Sequence, residues 1–218
     1  MSDFYSEQHR RLQDQHDTRN LADRLEQIIV ETQVSEPHLT FIESRDFFFL
    51  TTVDHRGYPT CSYKGGNPGM VRILDSQTLC FPNYDGNGMF LSLGNMLTHR
   101  KVGMLFIDFD TPHRIRVHGD ASIEPDDPLV SDYPGAQTII RVQINELFVN
   151  CPRYIHRMQR IESSKYVPQA GMESPVPQWK RIDAIQDVLP PCDHEIAEKV
   201  GGTITPEQYG DMIKNREG

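Results

Sequence analysis

The chain has 218 residues, 37% of them hydrophobic and 24% charged, so it is long enough for one substantial core plus a decorated tail but not for two large domains. Its formal net charge of -9 excludes a general nucleic-acid surface, which needs a basic face, but not a phosphorylated ligand held by a few local donors. No apolar run has the length of a membrane span, and the polar start, Met1–Arg19, reads as neither anchor nor signal peptide, which sets the expectation of a cytoplasmic protein without membrane or nucleic-acid partners.

In chain order, Asp17 or Thr18 can cap a helix whose apolar stripe is Leu21, Leu25, Ile28, Ile29 and Thr32, with Pro37 as its stop. A short helical piece follows at His38–Ser44. Phe47–Val53 is dense in aromatic and β-branched residues, Asp54-His55-Arg56-Gly57 is a turn signal, and Tyr58–Tyr63 reads as the returning strand. A second hairpin is predicted from Val71–Leu74, the turn at Asp75–Gln77, and Thr78–Phe81. Helical spacing runs through Met89, Leu93, Met96 and Leu97. The near-continuous apolar run Val102–Phe109 predicts a strand buried on both faces. Arg114–Ile123 alternates, with Ile115, Val117, Gly119, Ala121 and Ile123 on one side and Arg114, Arg116 and His118 on the other, and Gln137–Val149 repeats the pattern. About six strands around one mid-chain helix predict a small closed barrel, mainly β with flanking helices. From Cys151 onward, Pro168, Pro175, Pro177, Pro190 and Pro191 predict an extended tail packed over the barrel or a partner subunit. The expected division is therefore 1–150 and 151–218.

Several stretches could carry chemistry. Ser62-Tyr63-Lys64-Gly65-Gly66 joins a hydroxyl and a cation to two glycines that let a backbone approach a flat or phosphorylated ligand, although the spacing matches no nucleotide fingerprint. Phe81-Pro82-Asn83-Tyr84-Asp85-Gly86-Asn87-Gly88 leads into a helix and offers an anion site of backbone N–H groups, with Ser92 and Asn95 on one helix face. Arg114, Arg116 and His118 alternate on one strand face. Cys151 has His156 nearby but no orienting third group, so a nucleophilic role is not favoured. Asp108 with Asp110, and Cys192-Asp193-His194-Glu195, have no second cluster at metal spacing.

The order of these stretches from about Phe41 to Ile123 resembles the pyridoxamine 5′-phosphate oxidase-like family of FMN-binding split barrels. The segments that carry the likeness are Leu50-Thr51-Thr52-Val53-Asp54-His55-Arg56-Gly57-Tyr58-Pro59, Gly65-Gly66-Asn67-Pro68-Gly69-Met70-Val71-Arg72, Pro82-Asn83-Tyr84-Asp85-Gly86-Asn87-Gly88-Met89, Ser92-Leu93-Gly94-Asn95, Val102-Gly103-Met104-Leu105-Phe106 and Arg116-Val117-His118-Gly119-Asp120-Ala121. The resemblance implies a homodimeric split β-barrel that holds FMN. Ser62, Tyr63, Lys64 and Gly65 would lie along the ring, Phe81, Asn83, Asn87, Ser92 and Asn95 around the phosphate, and Arg114 near the flavin. It further implies an oxidoreductase of a small molecule, with a nicotinamide cofactor as a possible electron donor. A non-catalytic flavin or haem carrier, with His118 or His156 as axial ligand, or a sensor, is the alternative. The chain departs from the oxidases proper: the phosphate segment Asn87-Gly88-Met89-Phe90-Leu91 has no basic pair, and the tail ends Lys214-Asn215-Arg216-Glu217-Gly218 without an arginine–histidine motif. FMN binding is implied more strongly than oxidation of a B6 vitamer.

Overall fold

A computed structural model of the chain describes residues 4–217, which form two compact units, one up to Ile161 and one from Glu162. The first contains helices α1 (Glu7–Gln15), α2 (Arg19–Ile29), α3 (Glu36–Glu43) and α4 (Leu91–Thr98). Its strands are β1 (Val30–Glu31), β2 (Phe47–Val53), β3 (Pro59–Gly65), β4 (Arg72–Asp75), β5 (Thr78–Tyr84), β6 (Lys101–Asp108), β7 (His113–Ile123) and β8 (Ala136–Val149).

The strands make one antiparallel sheet in the order β3-β2-β6-β7-β8-β5-β4, and β1 adds to β8. Flat, this sheet would hold β2 and β5 about 19 Å apart at the usual strand spacing. Instead the Phe48 and Phe81 rings meet at 5.0 Å, so the sheet is curled around its core. The hydrogen-bonded path still ends at β3 and β4, which corrects the expectation of a closed ring to a curled sheet with two edges. A register shift at His118/Gly119 marks one bend. A Cβ on Gly119 would stand 2.5 Å from the Gln143 carbonyl oxygen, so no other residue lets β8 approach this closely.

Alternation decides which side chains form the core. Phe48 and Leu50 of β2, Leu79 and Phe81 of β5, Met104 and Phe106 of β6, Ile115 and Val117 of β7, and Ile140, Val142 and Ile144 of β8 are all buried together. The predicted two-sided burial of Val102–Phe109 is seen only in part: Val102, Met104 and Phe106 face the core, while on the other face Gly103 and Leu105 are half-buried and Ile107 is buried.

Two further differences lie near the N-terminus. Pro37 does not stop the preceding helix. It sits in the first turn of α3, where its missing N–H has no partner to lose, while α2 ends at Ile29 because Val30–Glu31 pairs with Leu147–Phe148. Helix α1, absent from the sequence reading, carries no apolar stripe. A capping box between Ser6 and His9, and the pairing of Arg10 with Asp23 (2.5 Å) and Glu26 (4.0 Å), hold it to α2. Thr18 caps α2 without a side-chain bond, and Leu21 and Ile28 of the predicted apolar stripe stay exposed.

The second unit is built from short 3₁₀ turns, α5 (Ile196–Lys199) and α6 (Pro206–Lys214). Its ties are a bridge between Ile182 and Ile204, the Arg181 guanidinium donating to the Gly202 carbonyl at 2.8 Å, and a buried Lys180–Asp193 ion pair at 2.9 Å. Among the described residues no helix is long and apolar enough to cross a membrane.

Candidate functional site

The β2–β3 hairpin turns at Asp54–Gly57. There the Asp54 carboxylate accepts the Arg56 and Tyr58 N–H groups, and Gly57 takes a φ of 87° that favours glycine. Register then sorts the β3 side chains. Thr60, Ser62 and Lys64 stand opposite Thr52, Leu50 and Phe48 and share their inward face, whereas Tyr63 stands opposite Phe49 and points outward.

Helix α4 lies over that inward face. The Asn95 amide donates to the Thr52 hydroxyl at 3.0 Å and the Thr60 hydroxyl at 3.2 Å, and these two hydroxyls are 2.8 Å apart. Farther along, the Ser62 and Ser92 hydroxyls meet at 3.2 Å. Asn95 matches Thr60 and Ser92 matches Ser62, so the helix runs antiparallel to β3 and its first turn comes out towards Lys64. That turn is open: its N-cap, Phe90, sits at a φ of 50° and makes no side-chain cap, so the leading N–H groups and the positive end of the helix dipole are presented without an internal acceptor. Gly88, at a φ of 74°, shapes the loop that precedes it.

Lys64 is half-buried, and among the described residues no carboxylate pairs with it. Burial pulls its pKa down from the ordinary lysine value. Beyond it, β3 is an edge of the sheet, so one side of its backbone has no strand partner.

The sequence-predicted site residues therefore divide. Ser62 meets Ser92 of α4, Asn95 anchors the same helix to Thr52 and Thr60, and Lys64 lies two residues farther along the same face of β3, with Gly65 at the end of that strand. Asn95 is largely structural, because its amide hydrogens are engaged by the threonines. The Phe81 ring is in the core against Phe48, since position 81 has the inward parity of β5; its side chain is not available to a ligand. Asn83 bonds Gln137 at 3.3 Å, and Asn87 folds back on the exposed loop, accepting the Met89 N–H at 3.1 Å. Tyr63 and Arg114 lie on the outer face of the sheet, away from Ser62 and Lys64. Tyr63 stacks on Phe47 (5.4 Å), and Arg114 donates to the Cys151 carbonyl at 2.9 Å. One chain thus does not gather Arg114 with Lys64. The residues that tie α4 down, Thr52 and Thr60, were not singled out from sequence; their signal was two threonines directly opposite each other in a predicted hairpin.

Other candidates are accounted for by local partners. Asp108 pairs with Arg45 at 2.6 Å and Asp193 with Lys180. His118 contacts Glu146 at 2.8 Å. The exposed Cys151 thiol is drawn below its ordinary pKa by hydrogen bonds from Arg153.

No curated protein matches the sequence. Among solved structures, a candidate pyridoxamine 5′-phosphate oxidase of Lactobacillus delbrueckii is 22% identical, with a TM-score of 0.44 over 54% of this chain and 95% of that one. An FMN-binding protein of Syntrophomonas wolfei is 11% identical, with a TM-score of 0.43 over 64% of this chain and 97% of that one. An FAD-binding protein of Mesorhizobium loti is 14% identical, with a TM-score of 0.38 over 57% of this chain and all of that one. The model of the pyridoxamine 5′-phosphate oxidase family matches residues 34–151, more than half of the sequence and the stretch that holds α3, α4 and β2 to β8. The chain belongs to the pyridoxamine 5′-phosphate oxidase family.

Proposed function

We propose that the chain binds FMN and serves as an FMN-dependent oxidoreductase of a small molecule, with two chains completing the site. The observation that carries this reading is Lys64: a half-buried cation that meets no carboxylate among the described residues, on the same face of β3 as Ser62, whose hydroxyl meets that of Ser92 in the uncapped first turn of α4. A cation, two hydroxyls and free helix N–H groups are the donor set of a phosphate monoester. Family membership supports the same assignment. The open edge of β3 at Ser62–Gly65 can offer backbone donors and acceptors to the rim of a flavin ring.

When bound, the flavin supplies the hydride and electron transfer, and the chain's residues bind and orient it. Lys64 and Ser62 would hold the phosphate, and Asn95 keeps α4 at the distance that lets both reach it. Arg114 and Tyr63 face away from Lys64 in one chain, so in this reading a second subunit brings such groups to the ring, which makes the homodimer the active form. A nicotinamide cofactor is the proposed electron donor.

The test is direct. Titration of the flavin-free chain with FMN, followed by quenching of flavin fluorescence, should show binding that Lys64→Met weakens at least tenfold while the circular dichroism spectrum is unchanged. Equal affinity in the variant, or no flavin uptake by the wild-type chain, sinks the assignment.

A further inference from the structure

Part of the apolar interior of the first unit lies outside the curl of the sheet. Leu79 and Phe81 of β5 point into the core, so Cys80 between them points out. It is nevertheless fully buried, in a small second cluster with Tyr133 and Ile139, against which Leu129, Val130 and Ala136 pack. The cover is the link from β7 to β8, residues 124–136, which crosses the outer side of β4, β5 and β8 as a strap. Its 3₁₀ turn, Pro128–Asp132, lies between two left-handed residues, Asp126 (φ 58°) and Gly135 (φ 74°).

Register explains what the strap is fastened to. Arg72, Cys80 and Arg141 are neighbours in one row across β4, β5 and β8, so the cysteine lies between two arginines. The strap answers both: Asp127 takes Arg141 at 2.6 Å and Asp132 takes Arg72 at 2.9 Å. Between these fasteners the Tyr133 ring lies under the Arg72 guanidinium at 4.3 Å, with its hydroxyl 3.6 Å from Cys80 Sγ. Burial pushes the Cys80 thiol pKa up, while the Tyr133 hydroxyl and the Arg141 and Arg72 charges pull it down. Under the closed strap the thiol is out of reach of solvent and unreactive. With the strap lifted the burial is gone and the two arginines, carried by the sheet, remain to favour the thiolate. The Arg72–Asp132 pair is open to water, so one of the two fasteners is weak.

We propose that Cys80 is an oxidation site gated by the strap, with hydrogen peroxide as its oxidant. When the strap lifts, the thiolate sulfur attacks one peroxide oxygen. The S–O bond forms as the O–O bond breaks, and the leaving hydroxide takes up the thiol's proton as water. Sulfur loses two electrons and becomes a sulfenic acid, and the peroxide gains the same two. The product does not fit the closed arrangement, because the added oxygen has no room in a packed site between Sγ and the Tyr133 hydroxyl. The strap then stays open, and its downstream neighbour feels it. Gln137, the second residue of β8, meets Asn83 and Asp85, each at 3.3 Å, so oxidation loosens the loop that leads into α4. The oxidation itself is independent of what the cleft under α4 binds.

The test uses the full chain with the exposed Cys61, Cys151 and Cys192 changed to serine. Hydrogen peroxide with dimedone, a sulfenic-acid trap, followed by mass spectrometry, should give one adduct, at Cys80. Asp132→Asn, which opens only the exposed ion pair, should form it at least threefold faster. After peroxide without the trap, hydrogen exchange should quicken at 124–136 and 83–90 but not in β6, and dithiothreitol should reverse the change. Cys80→Ser should show no such response. An absence of adduct in both proteins, or equal rates in the two, overturns the proposal. Exchange that quickens as much in β6 as in the strap also overturns it, because the thiol is then reached by global unfolding. An adduct that leaves 124–136 unchanged, or a response that persists in Cys80→Ser, refutes the coupling of sulfur to strap.

Discussion

Two regions of the first unit hold arginine or lysine in half-buried positions and use them differently. On β4 and β8, next to the 3₁₀ turn at Pro128–Asp132, both half-buried arginines are answered. Arg141 donates to Asp127 at 2.6 Å, Asp127 also accepts the Leu129 N–H at 2.9 Å, and Arg72 pairs with Asp132 at 2.9 Å while covering the Tyr133 ring. At β3 and β7, Lys64, Arg114 and Arg116 meet no carboxylate among the described residues. The first region is a finished piece of fold, in which removing any member strands another. The second holds half-buried charge without an internal counter-ion, which is the arrangement expected where the counter-charge arrives with a ligand or a second subunit.

The sharpest way to break this comparison is at Phe81, a predicted ligand contact that the fold places in the core. Phe81→Ala should lower the unfolding free energy by about 4 kcal/mol, read as a fall in the urea midpoint at unchanged slope. A near-neutral result with loss of flavin would return Phe81 to the site. Next in size is Asp127→Ala, which leaves Arg141 and the Leu129 N–H without their acceptor and should cost about 3 kcal/mol. The same pair has a pH signature. Arg141 holds the Asp127 pKa below the ordinary carboxylate value, so its contribution is complete above the unfolded pKa of about 4 and is lost as pH falls through the lower folded value. Wild type should therefore lose stability below about pH 4 more steeply than Asp127→Ala does. Parallel acid-unfolding curves would show that the pair contributes nothing. Asn95→Ala should cost less, about 2 kcal/mol, because the Thr52 and Thr60 hydroxyls can still bond each other. It should also weaken flavin binding by loosening α4, whereas Lys64→Met should lower affinity without lowering stability. If both variants change affinity and stability in the same proportion, the division between fold-holding and ligand-facing groups fails.

Much of this was legible in the residues themselves. Alternation in Arg114–Ile123 and Gln137–Val149 identified two strands and much of their inward faces, because the period of a strand is a property of the backbone; the register shift at His118/Gly119 turns Leu147 inward, out of phase with Ile140, Val142 and Ile144. The hairpin around Asp54–Gly57 and the helix before His99 were marked by turn and spacing signals of the same local kind. The polar α1 carried no such signal, being held by ion pairs to α2, and the end of α2 was set by pairing of Val30–Glu31 with a strand more than a hundred residues away. Parity along one strand says that Ser62 and Lys64 oppose Tyr63. It does not say which of the two faces turns inward, and only the curl of the sheet, with α4 laid over it, decided that Ser62 meets Ser92 while Arg114 looks away. The sequence determines the elements and their two-sidedness through local sterics and periodicity. The assignment of each side to core, ligand or partner is a long-range matter, resolved when the eight-stranded sheet curls around its core.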